Sequence, residues 1–456
     1  MSKYLRDTPK KFLFLQSHPS LFGRQVIKYL RESDVDCSII NLSLSDWGYR
    51  IGLRADNYWG TLANWPDYLR TYLKKKQITD LVYYADQRPY HRIAYKISRE
   101  LKINTFSYEF GYLRPDWITL ERGAMGPFSH FPNKPALIRK LASDLDQNLP
   151  GEHYPYTFFS EAFNEVAYNF VPALFPVFFP FYQRDRYYHP FRDYPSYIPR
   201  LLTTRFRETN ARLTIQDLKR RKASYFVVPM QMQNDYQVRN HAGYLHLSEM
   251  VEEIISSFVR SSPTDQHLVF KVHPLDNSIE QWPKVIRQTA ERYQCQSRVI
   301  VIDGGNLVEL FRHSKGVVLL NSTSGLQALQ QGIPVKVLGI SVYDVDGMTC
   351  QNPLDQFWKK PTPPDRPLVN DFVRLLAASI QVKGNFFSAR GRRVAVPEFA
   401  RRLVEGDVNS HGAFVEMPPR LEKARQLGVR IPADSYWRTE ESEAYRGGRI
   451  VKTNTT

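Results

Sequence analysis

Cysteine is scarce in this chain. Cys37, Cys295 and Cys350 are all it has, and no two of them stand in a CxxC spacing. That excludes a disulfide framework, gives no support to a cysteine zinc site, and points to a reducing compartment. Long hydrophobic runs are missing as well: no apolar stretch reaches the ~18 residues that a spanning helix needs. The amino-terminal MSKYLRDTPKKFLFLQSHPS holds only four consecutive apolar residues from Phe12, too few for a signal-peptide core. The expectation is a cytoplasmic chain that does not cross a membrane. Acidic residues are in deficit, 46 against 62 basic, and the resulting net charge of +16 asks for an anionic partner: nucleic acid, a nucleotide-linked substrate or an anionic membrane surface. The basic residues are dispersed and no nucleic-acid recognition motif occurs, so nucleic acid is not expected. Asp344-Val345-Asp346 has the form of a DxD metal site, but Asp34-Val35-Asp36 and Asp144-Leu145-Asp146 match equally well, and no metal is expected.

What is present reads as alternating strands and helices. With 456 residues the chain exceeds the size at which one core stops growing, so two domains are the default. The clearest unit is GVVLLNSTSGLQALQQGIPVKVLG from Gly316 to Gly339. Val317 to Leu320 and Pro334 to Leu338 are short apolar runs of the kind found in strands buried on both faces, and Gly332 stops the helix between them. Asn321, Ser322, Thr323 and Ser324 place an amide and three hydroxyls at the helix start, where an anion is favoured, and Gly325 allows close approach. The plainer reading of any one hydroxyl is a helix cap.

A first α/β series runs through strands at Lys11–Gln16, Cys37–Leu42, Asp80–Tyr84 and Asn104–Tyr108. Helices are expected at Phe22–Arg31, Trp65–Lys75 and Arg92–Leu101. Ligands of such sheets sit beyond the carboxyl ends of strands. The residues there are Ser17-His18, Asp86 to His91, and Glu109 to Gly123, the last a charged and aromatic stretch too irregular for a core helix. Tyr154 to Tyr197 is crowded with Phe, Tyr and Pro, and two readings stand side by side: a segment dipping into lipid headgroups beside Arg184, Arg186 and Arg192, or interdomain packing. A basic helix over Arg205–Lys222 includes the linker. A second series follows, with strands at Ser224–Pro229, Leu268–Val272 and Arg298–Ile302 and helices at Ser248–Arg260, Trp282–Arg292 and Leu307–His313. The expected organisation is an acceptor-side domain over 1–205, a donor domain over 206–381, and a mixed-charge helical tail over 382–456 without chemistry of its own.

GYLRPDWITLE from Gly111 to Glu121, preceded by Glu109, resembles the signature of the KpsS/LipB capsule polysaccharide proteins. Further points of resemblance are RPYHR at Arg88–Arg92, VPMQMQNDYQVR at Val228–Arg239, KVHP at Lys271–Pro274 and NSTSGLQAL at Asn321–Leu329. The resemblance implies a GT-B-like fold, two Rossmann-type domains with a cleft between them. It implies a retaining β-Kdo transferase that moves Kdo from CMP-Kdo to a phosphatidylglycerol-type lipid and so initiates the poly-Kdo linker of capsular polysaccharide. On that reading the donor sits on His273, Asn321, Ser322, Thr323, Ser324, Gln231 and Gln233, and no metal or other cofactor is needed. Asp235 is the nucleophile and Glu109 the acid/base, while Arg88, His91, Arg114 and Asp116 hold the acceptor. The expected place is the cytoplasmic face of the inner membrane, among other capsule biosynthesis and export proteins. The alternative is a non-catalytic export or scaffold component.

Overall fold

The structure is a computed structural model that describes residues 9–185, 187–235, 238–239, 243–429 and 431. Arg186, Tyr236, Gln237 and the end of the tail, all covered by expectations above, lie outside the described residues. Twelve strands are described: β1 Lys11–Phe14, β2 Asp36–Asn41, β3 Asp56–Asn57, β4 Asp80–Tyr84, β5 Asn104–Phe110, β6 Trp117–Arg122, β7 Tyr225–Pro229, β8 His267–Lys271, β9 Val299–Ile302, β10 Gly316–Leu319, β11 Val335–Val337 and β12 Gln381–Lys383. They form two sheets, ordered β12-β6-β5-β4-β1-β2-β3 and β11-β10-β7-β8-β9. The second is parallel throughout, and so is the run from β5 to β3 in the first. This is the two-domain α/β architecture of the GT-B-like expectation.

Strand periodicity explains how each sheet is buried on both faces. Phe12 and Phe14 enter one core while Leu13 and Leu15 enter another; Val317 and Leu319 likewise part from Val318 and Leu320. Helices supply the covering layers. In Phe22–Glu32 the buried positions Phe22, Val26, Ile27 and Leu30 fall on one face, as the 3.6-residue repeat requires.

Two parts of the first domain depart from expectation. Residues 117–122 form a strand antiparallel to β5, where an irregular loop was expected; Glu121 and Thr119 are buried beside Ile118 and Leu120, which hides the usual polar alternation. The tail is not a separate unit. Its β12 pairs antiparallel with β6, Gln381 opposite Thr119 and Lys383 opposite Trp117, and its helix Ala389–Glu405 packs on Phe22–Glu32. The physical reason is the open edge of β6, whose backbone groups need partners inside a buried sheet. Arg420 of the tail then joins both domains: its guanidinium donates to the carbonyls of Phe131 and Pro132 on one side and Ser341 and Val342 on the other.

Candidate functional site

In an open parallel sheet the crevice for a ligand opens where the strand order reverses. In the second sheet the chain runs outward from β7 through β8 to β9, then returns to β10 on the other flank, so the reversal lies between β7 and β10. The residues beyond those two strands touch there. Gln231 donates from Nε2 to Asn321 Oδ1 at 2.8 Å, and the Asn321 N–H donates to Gln231 Oε1 at 3.2 Å. Next to them the Ser322 and Ser324 hydroxyls are 2.9 Å apart. Thr323 stands at the helix N-cap position yet makes no side-chain cap hydrogen bond, so simple capping does not account for its hydroxyl. The turn is held from below by Tyr343, whose hydroxyl donates to the Ser322 carbonyl. A Cβ at residue 325 would strike that hydroxyl, so Gly325 is needed for the approach of Tyr343 and not, as the sequence led us to expect, for a ligand.

His273 follows β8, the next strand along. Its Nδ1 accepts from the Leu275 N–H at 3.1 Å, which leaves the proton on Nε2. Burial first, then the charges of Lys271, Arg200 and Arg114, bring its pKa down to about 4, so near neutrality the ring is an uncharged donor. Asp235 lies in the loop after β7, between the Asn321–Ser324 turn and His273 in sheet order; its backbone carbonyl accepts from the N–H groups of Val238 and Arg239. Gln233, expected at the donor, is turned inward. It is buried and its Oε1 receives the Leu247 N–H at 2.8 Å, so it fixes the start of helix Leu247–Ser261.

The first sheet reverses between β1 and β4, and the chemistry beyond those strands is ionic. The Arg88 guanidinium lies 5.2 Å from the centre of the Tyr84 ring and 5.8 Å from that of Tyr168. Gln16 Nε2 donates to Asp46 at 3.0 Å and to the Tyr168 and Tyr182 hydroxyls, and the Tyr168 hydroxyl donates to the other oxygen of Asp46 at 2.6 Å. Arg50, buried, reaches the carbonyls of Ile40 and Leu15 and the Ser17 hydroxyl. This group of Gln16, Asp46, Arg50, Tyr168 and Tyr182 was missed. The Ser43-x-x-Asp46 capping box was its one local signal.

Two residues expected at the acceptor prove to be supports. His91 is wholly buried: its ring stacks on Tyr83 at 4.9 Å, Nδ1 donates to the Ala85 carbonyl at 2.9 Å, and burial, with Arg88 nearby, lowers its pKa to about 3. Asp116 is buried too, and its carboxylate receives His153, the Tyr154 N–H and Asn385. Burial alone would raise its pKa, but those hydrogen bonds hold it below the usual range. A carboxylate engaged by three donors within the fold acts first as a structural tie.

Glu109 closes β5 opposite Thr119 and acts electrostatically on Tyr84, Tyr112 and Arg114. Near it lie Asp86, pushed up to about 6 by burial, and Glu121, pushed up to about 7 by burial despite hydrogen bonds from Ser129 and Tyr112. Arg114 stands over the Phe110 ring at 4.9 Å, and its charge is among those that depress His273. Arg114, which follows the first sheet's β5, is thus within electrostatic reach of His273, which follows β8 of the second. Tyr188–Glu280, Asn277–Asp193 and Arg200–Asp303 tie residues 188–200 to the segments that follow β8 and β9.

Comparison with known proteins now adds to the geometry. The family model described as capsule polysaccharide biosynthesis protein matches residues 79–387. The chain belongs to that family. It is 33% identical over 350 residues to the capsule polysaccharide modification protein LipB of Neisseria meningitidis serogroup A, covering 73% of this chain and 80% of LipB. It is 27% identical over 383 residues to the capsule polysaccharide export protein KpsS of Escherichia coli, covering 83% of this chain and 97% of KpsS. Among solved structures, the Thermosulfurimonas dismutans KpsC β-Kdo 2,7 transferase aligns over 86% of this chain and 98% of its own, with 14% identity and a TM-score of 0.41. The matched span of the capsule polysaccharide biosynthesis family includes β4 to β6 and the whole second sheet, and so Glu109, Asp235, His273 and the Asn321–Ser324 turn.

Proposed function

We propose that this member of the capsule polysaccharide biosynthesis family is a glycosyltransferase, a retaining β-Kdo transferase that moves Kdo from CMP-Kdo to a phosphatidylglycerol-type lipid. The observation that carries the reading is the pairing of two reversal-point crevices, one lined by amides, hydroxyls and a neutral histidine and one by guanidinium groups and phenols. In the donor crevice the Nε2–H of His273 and the hydroxyls of Ser322, Thr323 and Ser324 hold the CMP phosphate, and Gln231 and Asn321 fix their loops. Asp235 attacks the anomeric carbon, the bond to the phosphate oxygen breaks, and CMP leaves with the electron pair. The acceptor hydroxyl then attacks the same carbon, Asp235 departs as carboxylate, and Glu109 takes the hydroxyl proton. Two inversions give retention. Arg88, firmly protonated because nearby phenols and Asp185 outweigh the effect of its burial, binds the lipid phosphate.

The membrane side of the reading rests on the aromatic segment, which divides the two expectations between them. Tyr168, Phe179 and Tyr188 are buried in packing, whereas Phe163, Phe175, Val177, Phe178, Phe181 and Phe191 are exposed near Arg184 and Arg192. Among the described residues no helix is long and apolar enough to cross a membrane. Contact at the water–lipid boundary of the inner membrane's cytoplasmic face, alongside other capsule biosynthesis and export proteins, fits those exposed rings. That KpsS is named an export protein favours the alternative of an export component. Incubating the purified chain with CMP-Kdo and phosphatidylglycerol vesicles separates the two. Kdo-lipid and CMP appearing together support the transferase, and intact CMP-Kdo after binding supports the alternative.

A further inference from the structure

Helix Tyr197–Arg220 is apolar on two opposite faces. Successive helical residues turn by about 100°, so Ala211, Ile215 and Leu218 share a face with Arg200; the three pack into the donor core, and Arg200 clamps Asp303 through two hydrogen bonds of 2.9 and 2.8 Å. Ile198, Leu202, Phe206 and Leu213 fall on the opposite side, and Leu201 on the flank between the two faces. The four are 57, 82, 70 and 55% exposed, and Leu201 62%. In an ordinary surface helix that side is polar.

The charges beside those apolar residues are mostly basic. Arg205, Arg212 and Lys219 line the flank on which Leu201 lies, and Arg220 lies on the outward face. The helix's carboxylates are turned away or paired: Glu208 receives the Gly305 N–H at 2.8 Å on the inner side, and Asp217 pairs with Arg220 and Arg221. We infer that this outward face lies in the headgroup–acyl boundary of an anionic bilayer, with the helix axis in the membrane plane and its arginines on lipid phosphates. A second copy of the chain is a poor cover, because a twofold contact would set Arg205 and Arg212 against their own equivalents. Anionic headgroups neutralise the same charges, worth about 1 kcal/mol for each basic residue near the surface. The exposed rings of Phe178, Phe181 and Phe191, a few residues earlier in the chain, supply a second contact with the same chemistry.

This contact goes beyond the transfer reading, since it holds whatever sugar is moved. Because Arg200 and Arg207 both bind Asp303 at the carboxyl end of β9, the helix fixes the donor domain, and not only the aromatic segment, to the membrane. The test uses the full-length chain and vesicles of phosphatidylethanolamine with phosphatidylglycerol. Leu201→Ser/Leu202→Ser/Phe206→Ser is expected to lower vesicle affinity at least about tenfold without altering the circular dichroism spectrum. Arg205→Glu/Arg212→Glu, which leaves the apolar residues in place and guards against misfolding of the triple variant, should remove the preference for phosphatidylglycerol over phosphatidylcholine vesicles. Wild-type affinity in both variants would overturn the proposal, as would a lipid-free wild-type dimer that the triple variant turns into a monomer. If the triple variant binds normally while Phe178→Ser/Phe181→Ser does not, the helix is excluded and the membrane reading of the aromatic segment stands. If the wild type itself fails to bind vesicles, both are wrong.

Discussion

The two reversal-point crevices are built from different chemistry. Beyond β7, β8 and β10 the polar groups around Asp235 are amides, hydroxyls and a histidine whose depressed pKa keeps it neutral. Beyond β1 and β4 they are guanidinium groups, a carboxylate and phenols, with Arg88 laid against two aromatic rings. The difference suits two anions with different fates. A phosphate that must leave as its bond breaks is better held by fixed neutral donors, which stabilise growing charge without trapping the product. A lipid phosphate keeps its charge throughout and is better met by a permanent cation.

The largest expected effect comes from the donor side. Asp235→Ala should reduce transfer by at least about a thousandfold while CMP affinity in calorimetry stays near wild type, since it removes the attacking group and no phosphate contact. His273→Ala should do the reverse in binding, weakening CMP by about 10- to 150-fold for a lost hydrogen bond to a charged group of roughly 1.5–3 kcal/mol. Binding of a soluble glycerophospholipid should be unchanged. Arg88→Ala sharpens the comparison from the other side: acceptor affinity falls about tenfold and CMP affinity holds, and Arg88→Lys restores only part because an ammonium does not stack like a planar guanidinium. A CMP defect in the Arg88 variants, or a lipid defect in His273→Ala, would erase the division between the crevices.

How much of this was legible in the sequence depends on how local each feature is. The Gly316–Gly339 unit, the alternation of strands and helices and the position of His273 at a strand end are set by short stretches, and periodicity reads them to within a residue or two. Features that need distant partners were not legible. The strand Trp117–Arg122 carries Glu121 at a buried position and closes against β12 some 260 residues later, so its pattern resembles a charged loop. Tyr343 beneath the Ser322 carbonyl, Arg420 between the domains and the burial of His91 and Asp116 are likewise products of tertiary packing. Motif membership marked His91 and Asp116 as important, but only packing shows that His91 Nδ1 and the Asp116 carboxylate are already engaged by partners within the fold.

A further prediction concerns that packing. Burial raises Glu121 from its ordinary 4.5 to about 7, so the native chain retains a proton that the unfolded chain releases as pH rises past 4.5. Stability therefore declines from pH 4.5 to 7 through this group, by on the order of 3 kcal/mol. Glu121→Gln should flatten that part of the profile in denaturant titrations. An unchanged slope would mean that Glu121 ionises normally in the fold.

The claim on which the donor crevice turns is that Asp235 carries the sugar between two inversions. Wild-type protein incubated with CMP-Kdo and no acceptor, then digested and analysed by mass spectrometry, should show one Kdo residue added to the peptide containing Asp235, with CMP released in equal amount. An adduct on the peptide containing Glu109, or full transfer to lipid by Asp235→Ala, would contradict it.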